Sequence, residues 1–181
     1  VQSIAHQTVR AAKSPKDFVE SFDGRLSALA RAHGLLVTSE WAGADLGEMA
    51  NEQLQPYLGD DSGRLRISGE PIALSADIAT PFGLVLHELA TNAAKYGALS
   101  RSKGMVSLSW TVKSRGDERG VTVVWKEQGG PAVKSPKGSG LGSTLIDRVI
   151  PNATVKREFA ADGFACTIHL VLKPGGGNAV A

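Results

Sequence analysis

The chain has a single cysteine, Cys166. One thiol excludes an internal disulfide and any zinc site built on cysteines, and it suits a reducing, cytoplasmic setting. Long apolar runs are missing as well. Nowhere do about 18 apolar residues follow one another, so no helix is apolar enough to cross a membrane, and no membrane contact is expected of this chain. Neither charge is in excess: Lys+Arg 20 stand against Asp+Glu 18, a net of +2. That balance argues against a dedicated nucleic-acid binder, which carries a basic patch or stripe. The first residues, VQSIAHQTVR, lack an initiator Met and lack the charged start and apolar stretch of a signal peptide. They read as the middle of a pattern, as a fragment of a longer protein would. No internal repeat is visible. What is present is ordinary for a globular protein: 181 residues, 42% hydrophobic and 21% charged. That is enough for one domain, or two small ones, with a real core.

The texture changes near residue 58. Residues 1–57 read as helical, 58–173 as mixed α/β, and the Gly-rich tail 174–181 as disordered. Residues 1–13 read as a helix end, broken at Ser14-Pro15, where Ser14 suits a cap and Pro15 the first helical position. The next helix runs to about Val37. Its apolar positions Val19, Phe22, Leu26, Leu29, His33 and Leu36 alternate steps of three and four, the spacing of a coiled-coil seam or of a core-facing helix. Asp45 suits the cap of a short helix carrying Leu46, Met49, Ala50 and Leu54, which stops near Pro56. Strands are expected at 64–67, 72–74, 105–112, 121–127, 154–159 and 164–172. On the last, Phe164, Cys166, Ile168, Leu170 and Leu172 share a face. A strong helix is expected to open at Thr80-Pro81 and close at Gly97. A Gly/Pro/Lys-rich loop over 129–140 leads into another helix, from about Leu141 to Val149. This order implies an α+β fold, a two-layer α/β sandwich with a mixed sheet and helices on one face, preceded by a helical segment.

Three segments carry chemistry. In LVLHELATNAAKYG, the residues Glu88, Asn92 and Lys95 fall at i, i+4 and i+7 and share one helix face, while Val85, Leu86, Leu89 and Ala93 form the apolar one. An amide oxygen ligates Mg²⁺, an ammonium meets phosphate, and a carboxylate takes a proton or positions a nucleophile. A plain amphipathic helix with a solvated Glu/Lys stripe has the same spacing. In WKEQGGPAV, a strand ending on Trp125 and Glu127 meets the turn Gly129-Gly130-Pro131. A strand-end carboxylate there can accept from the amino group of a flat ring, with glycines letting the ring approach; a simple β-turn explains the glycines equally. In KGSGLGSTLIDRVI, the glycines Gly138, Gly140 and Gly142 precede a helix, where backbone N–H groups cradle phosphate. This is neither a Walker A loop nor a dinucleotide fingerprint, and a linker is the ordinary alternative.

Taken in order, these segments resemble the motifs of bacterial protein-histidine kinases. HELATNAAKYGALS is similar to their asparagine box, WKEQGGP to the first glycine box and GSGLGSTLIDRV to the second. His87 opening the asparagine box, together with the Trp-x-Glu pair Trp125 and Glu127, resembles the HWE subgroup. The resemblance covers about residues 16–172. It implies the Bergerat-type ATP-binding fold of the GHKL superfamily, with ATP and Mg²⁺ as cofactors. It implies that Asn92 ligates Mg²⁺, Glu88 is the polar catalytic residue beside it, and Lys95 contacts phosphate. It implies further that Glu127 stands where relatives use an Asp to read the adenine amino group, and that Gly129 and Gly130 let adenine pack close. Gly138, Gly140, Leu141 and Gly142 are implied to form the lid and phosphate cradle, with His87 and Tyr96 also placed at the cofactor. Leu141 departs from the subgroup's usual Phe. The roles of His87 and Trp125 are not defined by the resemblance.

The family's phospho-accepting His is expected two to three helical turns upstream of Val1. The surroundings of His6 do not match the acceptor motif, and His33 and His169 read as packing residues. The activity implied is transfer of the ATP γ-phosphoryl to a histidine and on to an aspartate of a response regulator, with a homodimer in the full kinase. Two alternatives share the fold: a GHKL-type serine kinase or ATPase, whose phosphoprotein survives acid, and a degenerate dimerisation module, which binds no Mg·ATP.

Overall fold

A computed structural model describes residues 2–59, 61–115, 118–132, 145–147, 149–160 and 162–172. Helix α1 spans Gln2–Ala11 and α2 spans Pro15–Thr38. Ser14 caps α2, its side chain accepting from the Asp17 N–H at 3.1 Å, with Pro15 at the head of the first turn. The two-residue strand β1 (Ala44–Asp45) leads directly into α3 (Leu46–Leu54), where the Asp45 side chain accepts from the Glu48 N–H at 2.9 Å. Then follow β2 (Leu65–Ser68), β3 (Ala73–Leu74) and the long helix α4 (Ala76–Lys95). The chain continues through β4 (Met105–Arg115), β5 (Glu118–Gln128), β6 (Thr154–Ala160) and β7 (Gly163–Leu172).

Five strands form one mixed sheet in the order β2-β4-β5-β7-β6, in which β2 runs parallel to β4 and the other neighbours are antiparallel. β1 and β3 form a separate antiparallel pair. Period-two alternation sends Val106, Leu108, Trp110, Val121, Val123, Trp125, Cys166, Ile168, Leu170 and Leu172 to one face. There they join Leu46, Met49 and Leu54 of α3 and Phe82, Val85, Leu86 and Leu89 of α4 in a single cluster. Each fully buried Leu or Phe of this kind contributes about 1.5–3 kcal/mol relative to exposure. The result is the α+β arrangement, a mixed sheet with helices on one face, that the sequence implied.

Three expectations are corrected. First, α4 begins at Ala76, and Pro81 lies within it rather than at its start. Pro81 forfeits the one bond its missing N–H would make to the preceding turn, and burial of Ile78, Ala79 and Phe82 around it offsets that loss. Second, α2 buries Arg25, Ala28, Ala32 and Leu36, so of the expected seam only Leu36 reaches the core. Val19 and Leu26 are 52% and 42% exposed. The reason is proximity: a Cβ added at Gly83 of α4 would lie 2.9 Å from the Ala32 Cβ, so only small residues fit between the helices. Third, His33 and His169 are exposed rather than packed. His33 meets Trp41 edge-on, and His169 bonds Thr122 across the β5–β7 pair.

Candidate active site

The middle of α4 is enclosed on all sides. Its apolar face meets the sheet, while His87 and Glu88 are buried beside α2. Glu88 is therefore not part of a solvated stripe. Its Oε1 accepts from Arg25 Nε at 2.7 Å, both side chains being under a tenth exposed. Arg25 Nη1 also donates to Thr8 Oγ1 at 2.8 Å, and Thr8 in turn donates to the Ile4 carbonyl at 2.6 Å. One guanidinium thus ties α1, α2 and α4 together.

His87 makes the neighbouring contact. Burial pushes its imidazole down to about pKa 4, so it is neutral at physiological pH, and Nδ1 can accept from the Tyr57 hydroxyl at 2.6 Å. Tyr57 also bonds Thr91 Oγ1 at 3.0 Å. The far edge of the ring lies against Gly24, where an added Cβ would come within 2.9 Å of Cε1. Residues 24 and 25 of α2 thereby touch residues 87 and 88 of α4. Sequence reasoning named His87 and Glu88 but missed Arg25, Tyr57 and Thr8. The only available signal was Arg25 in register with the small-residue row Ala28 and Ala32, a charge where a core face should be apolar.

Toward the end of α4 the surface opens. Asn92 is half-buried, Lys95 is exposed, and Tyr96 is 69% exposed, so all three can meet a ligand. The helix closes where the Tyr96 and Gly97 N–H groups both bond the Asn92 carbonyl. Gly97 is required here for a reason beyond helix termination: a Cβ on it would overlap Glu127 Oε2. Glu127, 5% exposed at the end of β5, accepts from the Ala98 N–H at 2.8 Å through Oε2 and from the Trp125 indole N–H at 3.1 Å through Oε1. Burial raises its carboxyl pKa, and these two donors oppose the rise. Strand end and helix end are therefore joined at one corner. Gly129 has φ +71, and a Cβ there would lie 3.0 Å from the Lys103 carbonyl oxygen; one on Gly130 would lie 2.8 Å from the Ala98 N. Both glycines let their turn pack on the loop 97–104. Arg64 fixes that loop from below by donating to the carbonyls of Leu99, Arg101 and Gly104 at 3.2, 2.5 and 3.0 Å. Gly138, Gly140, Leu141 and Gly142 lie outside the described residues.

The donor set suits a metal shared with a ligand. Among the described residues no cluster of three or more His, Cys, Asp or Glu side chains could hold an ion. Mg²⁺ does not need one: it commonly takes one or two protein oxygens and completes its shell with phosphate and water. The Asn92 amide is such an oxygen, with Lys95 less than one turn away for phosphate.

Comparison with solved structures gives the class. The histidine kinase domain of the Erythrobacter litoralis EL346 blue-light activated histidine kinase superposes with a TM-score of 0.63 at 18% identity, covering 93% of this chain and 92% of that one. The mycobacterial sensor histidine kinase MprB superposes with a TM-score of 0.53 at 18% identity, covering 72% of this chain and 98% of that one. The fold is that of histidine kinase catalytic domains. Residues 1–71 match the family model described as HWE histidine kinase. Two curated relatives, each called a blue-light-activated histidine kinase, extend the similarity along the chain. The Brucella anthropi protein is 39% identical over 93% of this chain, and the Brucella ovis protein 34% identical over 96%. The chain spans only 35% and 36% of their respective lengths.

Proposed function

We propose that the chain is the phosphotransfer core of a two-component protein-histidine kinase. It binds Mg·ATP, passes the γ-phosphoryl to a histidine imidazole, and an aspartate of a response regulator receives it next. The observation that supports this reading is that Glu127, at the end of β5, accepts from the Ala98 N–H just past α4, the helix whose last turns carry Asn92 and Lys95. Bound Mg²⁺ supplies charge neutralisation across the phosphates, and transfers of this kind depend mainly on positioning and electrostatics. Asn92 holds the ion through its amide oxygen. Lys95 pairs with phosphate. Glu127 accepts from the adenine amino group, while Gly129, Gly130 and Tyr96 border the base. The resemblance makes Glu88, one turn before Asn92, the polar catalytic residue; its buried carboxylate is held by Arg25, and His87 beside it bonds Tyr57. In the full kinase the helices α1 and α2 serve to pair two subunits; the exposed Val19, Leu26, Val37 and Trp41 support that role. A cytoplasmic setting follows from the partner and from ATP.

Thermal unfolding with and without Mg·ATP tests the reading. At about 100 times Kd, ligand binding adds roughly 2.7 kcal/mol. For a chain of this size that corresponds to about 5–10 °C in Tm. Asn92→Ala should lose the Mg²⁺-dependent part of the shift. The phosphorylated full-length kinase should lose its label in acid. No Mg·ATP shift in the unaltered chain, or an acid-stable product, would overturn the assignment.

A further inference from the structure

The resemblance defined no role for Trp125, and the structure supplies one. Trp125 and Glu127 are two residues apart on β5, so their side chains leave the same face of the sheet about 6.6 Å apart along the strand. An indole is long enough to bridge that separation. Trp125 is 1% exposed, so its N–H has no access to water and must find an acceptor inside the protein. It finds Glu127 Oε1 at 3.1 Å, while the Ala98 N–H occupies Oε2 at 2.8 Å. One donor on each oxygen fixes the plane of the carboxylate as well as its position. A carboxylate offers about four lone-pair directions, so two remain for a ligand.

We propose that Trp125 is a positioning residue for nucleobase selection: its indole N–H orients the Glu127 carboxylate so that a free lone pair faces the exocyclic amino group of adenine. The proposal rests on the nucleotide-binding reading above and goes beyond it by assigning the selectivity of that site to a residue that never touches the ligand. Charge adds to geometry. Burial raises the carboxyl pKa and the Trp125 N–H lowers it, so the indole also favours the ionised acceptor over a protonated group that would present its own O–H to the amino group. The Trp-x-Glu spacing follows from this device, since only i,i+2 on one strand places the ring beside the acid on the same face.

The test compares Mg·ATP with Mg·purine riboside triphosphate, which lacks the 6-amino group, by calorimetric titration of the unaltered chain and of Trp125→Phe. A hydrogen bond to a charged acceptor is worth about 1.5–3 kcal/mol, so the unaltered chain should prefer ATP by roughly 10- to 100-fold. Trp125→Phe keeps an aromatic ring but has no donor. Its preference should fall by about tenfold, through weaker binding of ATP, with affinity for the analogue nearly unchanged. Where the phenylalanine variant fails to fold, 3-benzothienylalanine placed at position 125 by nonsense suppression keeps the indole shape without the N–H and should give the same loss of preference. A preference equal to that of the unaltered chain, or equal weakening toward both nucleotides, overturns the proposal and leaves the nucleotide site standing. Failure of the unaltered chain to bind Mg·ATP overturns both.

Discussion

Arg25 and Glu88 are separated by 63 positions in the chain and by 2.7 Å in space. Breaking a buried ion pair from one side strands the other charge, so Arg25→Ala should cost about 3–5 kcal/mol. Replacing both partners, as Arg25→Met with Glu88→Met, should recover most of that loss, since an apolar pair removes the desolvation penalty along with the attraction. Urea denaturation of the two variants measures the difference. His87 makes a pH-dependent contribution. Its folded-state pKa of about 4 lies below the ordinary 6.5. As pH falls from 6.5 toward 4 the unfolded chain takes up a proton that the folded chain refuses, so stability is full above that window and drops within it, by on the order of 3 kcal/mol. His87→Gln has no proton to gain, and its denaturation midpoint should lose this dependence. At this scale spacing singles out Glu88, Asn92, Lys95 and Glu127, but it does not show that Glu88 is buried against Arg25 while Asn92 and Lys95 face the open surface. Arg25 and Tyr57 act through contacts across 63 and 30 positions of the chain, whereas the Trp125–Glu127 bond spans two residues of one strand and its spacing was visible without its role.

Helix α2 shows why an element can be recognised while local spacing leaves its orientation open. Ser14-Pro15 marks its start correctly, because capping is local chemistry. The seam of large apolar residues does not face this chain's own core, because Gly83 and Ala32 let α4 approach until only alanines fit between the helices; of the two readings of the spacing, only the core-facing one is corrected. Residue size, rather than hydrophobicity, chose the buried face. Ala32→Leu should therefore cost about 1–3 kcal/mol by overpacking. Val19→Ala, on the exposed side, should change stability by only about 0.5 kcal/mol or less. Equal effects, or the reverse order, in chemical denaturation would mean that the larger residues face the core after all. The start of α4 was misread for a related reason: Pro81 is a strong local stop signal, and the burial of Phe82 and its neighbours overrides it.

For the molecule as a whole, alternating strands and one long helix made the two-layer fold readable, since period-two burial on β5 and β7 survives intact in the structure. The strand order was not readable, because β2 pairs with β4 in parallel across the whole of α4, a connection that sequence adjacency does not suggest. Among the described residues the sheet ends at β6, whose outer side pairs with no further strand. That edge carries Lys156 and Glu158, linked at 2.6 Å, and Arg157, linked to Asp147 at 2.8 Å. A stranger's backbone adding itself to this margin would have to lie across a row of hydrated ions, and charged margins of this type are how open sheets avoid templating fibres. Exchanging Lys156 and Glu158 for Val should turn that margin into an adhesive one, visible as light scattering that grows with concentration. The ionic row would then be a guard against self-assembly rather than a source of folding energy.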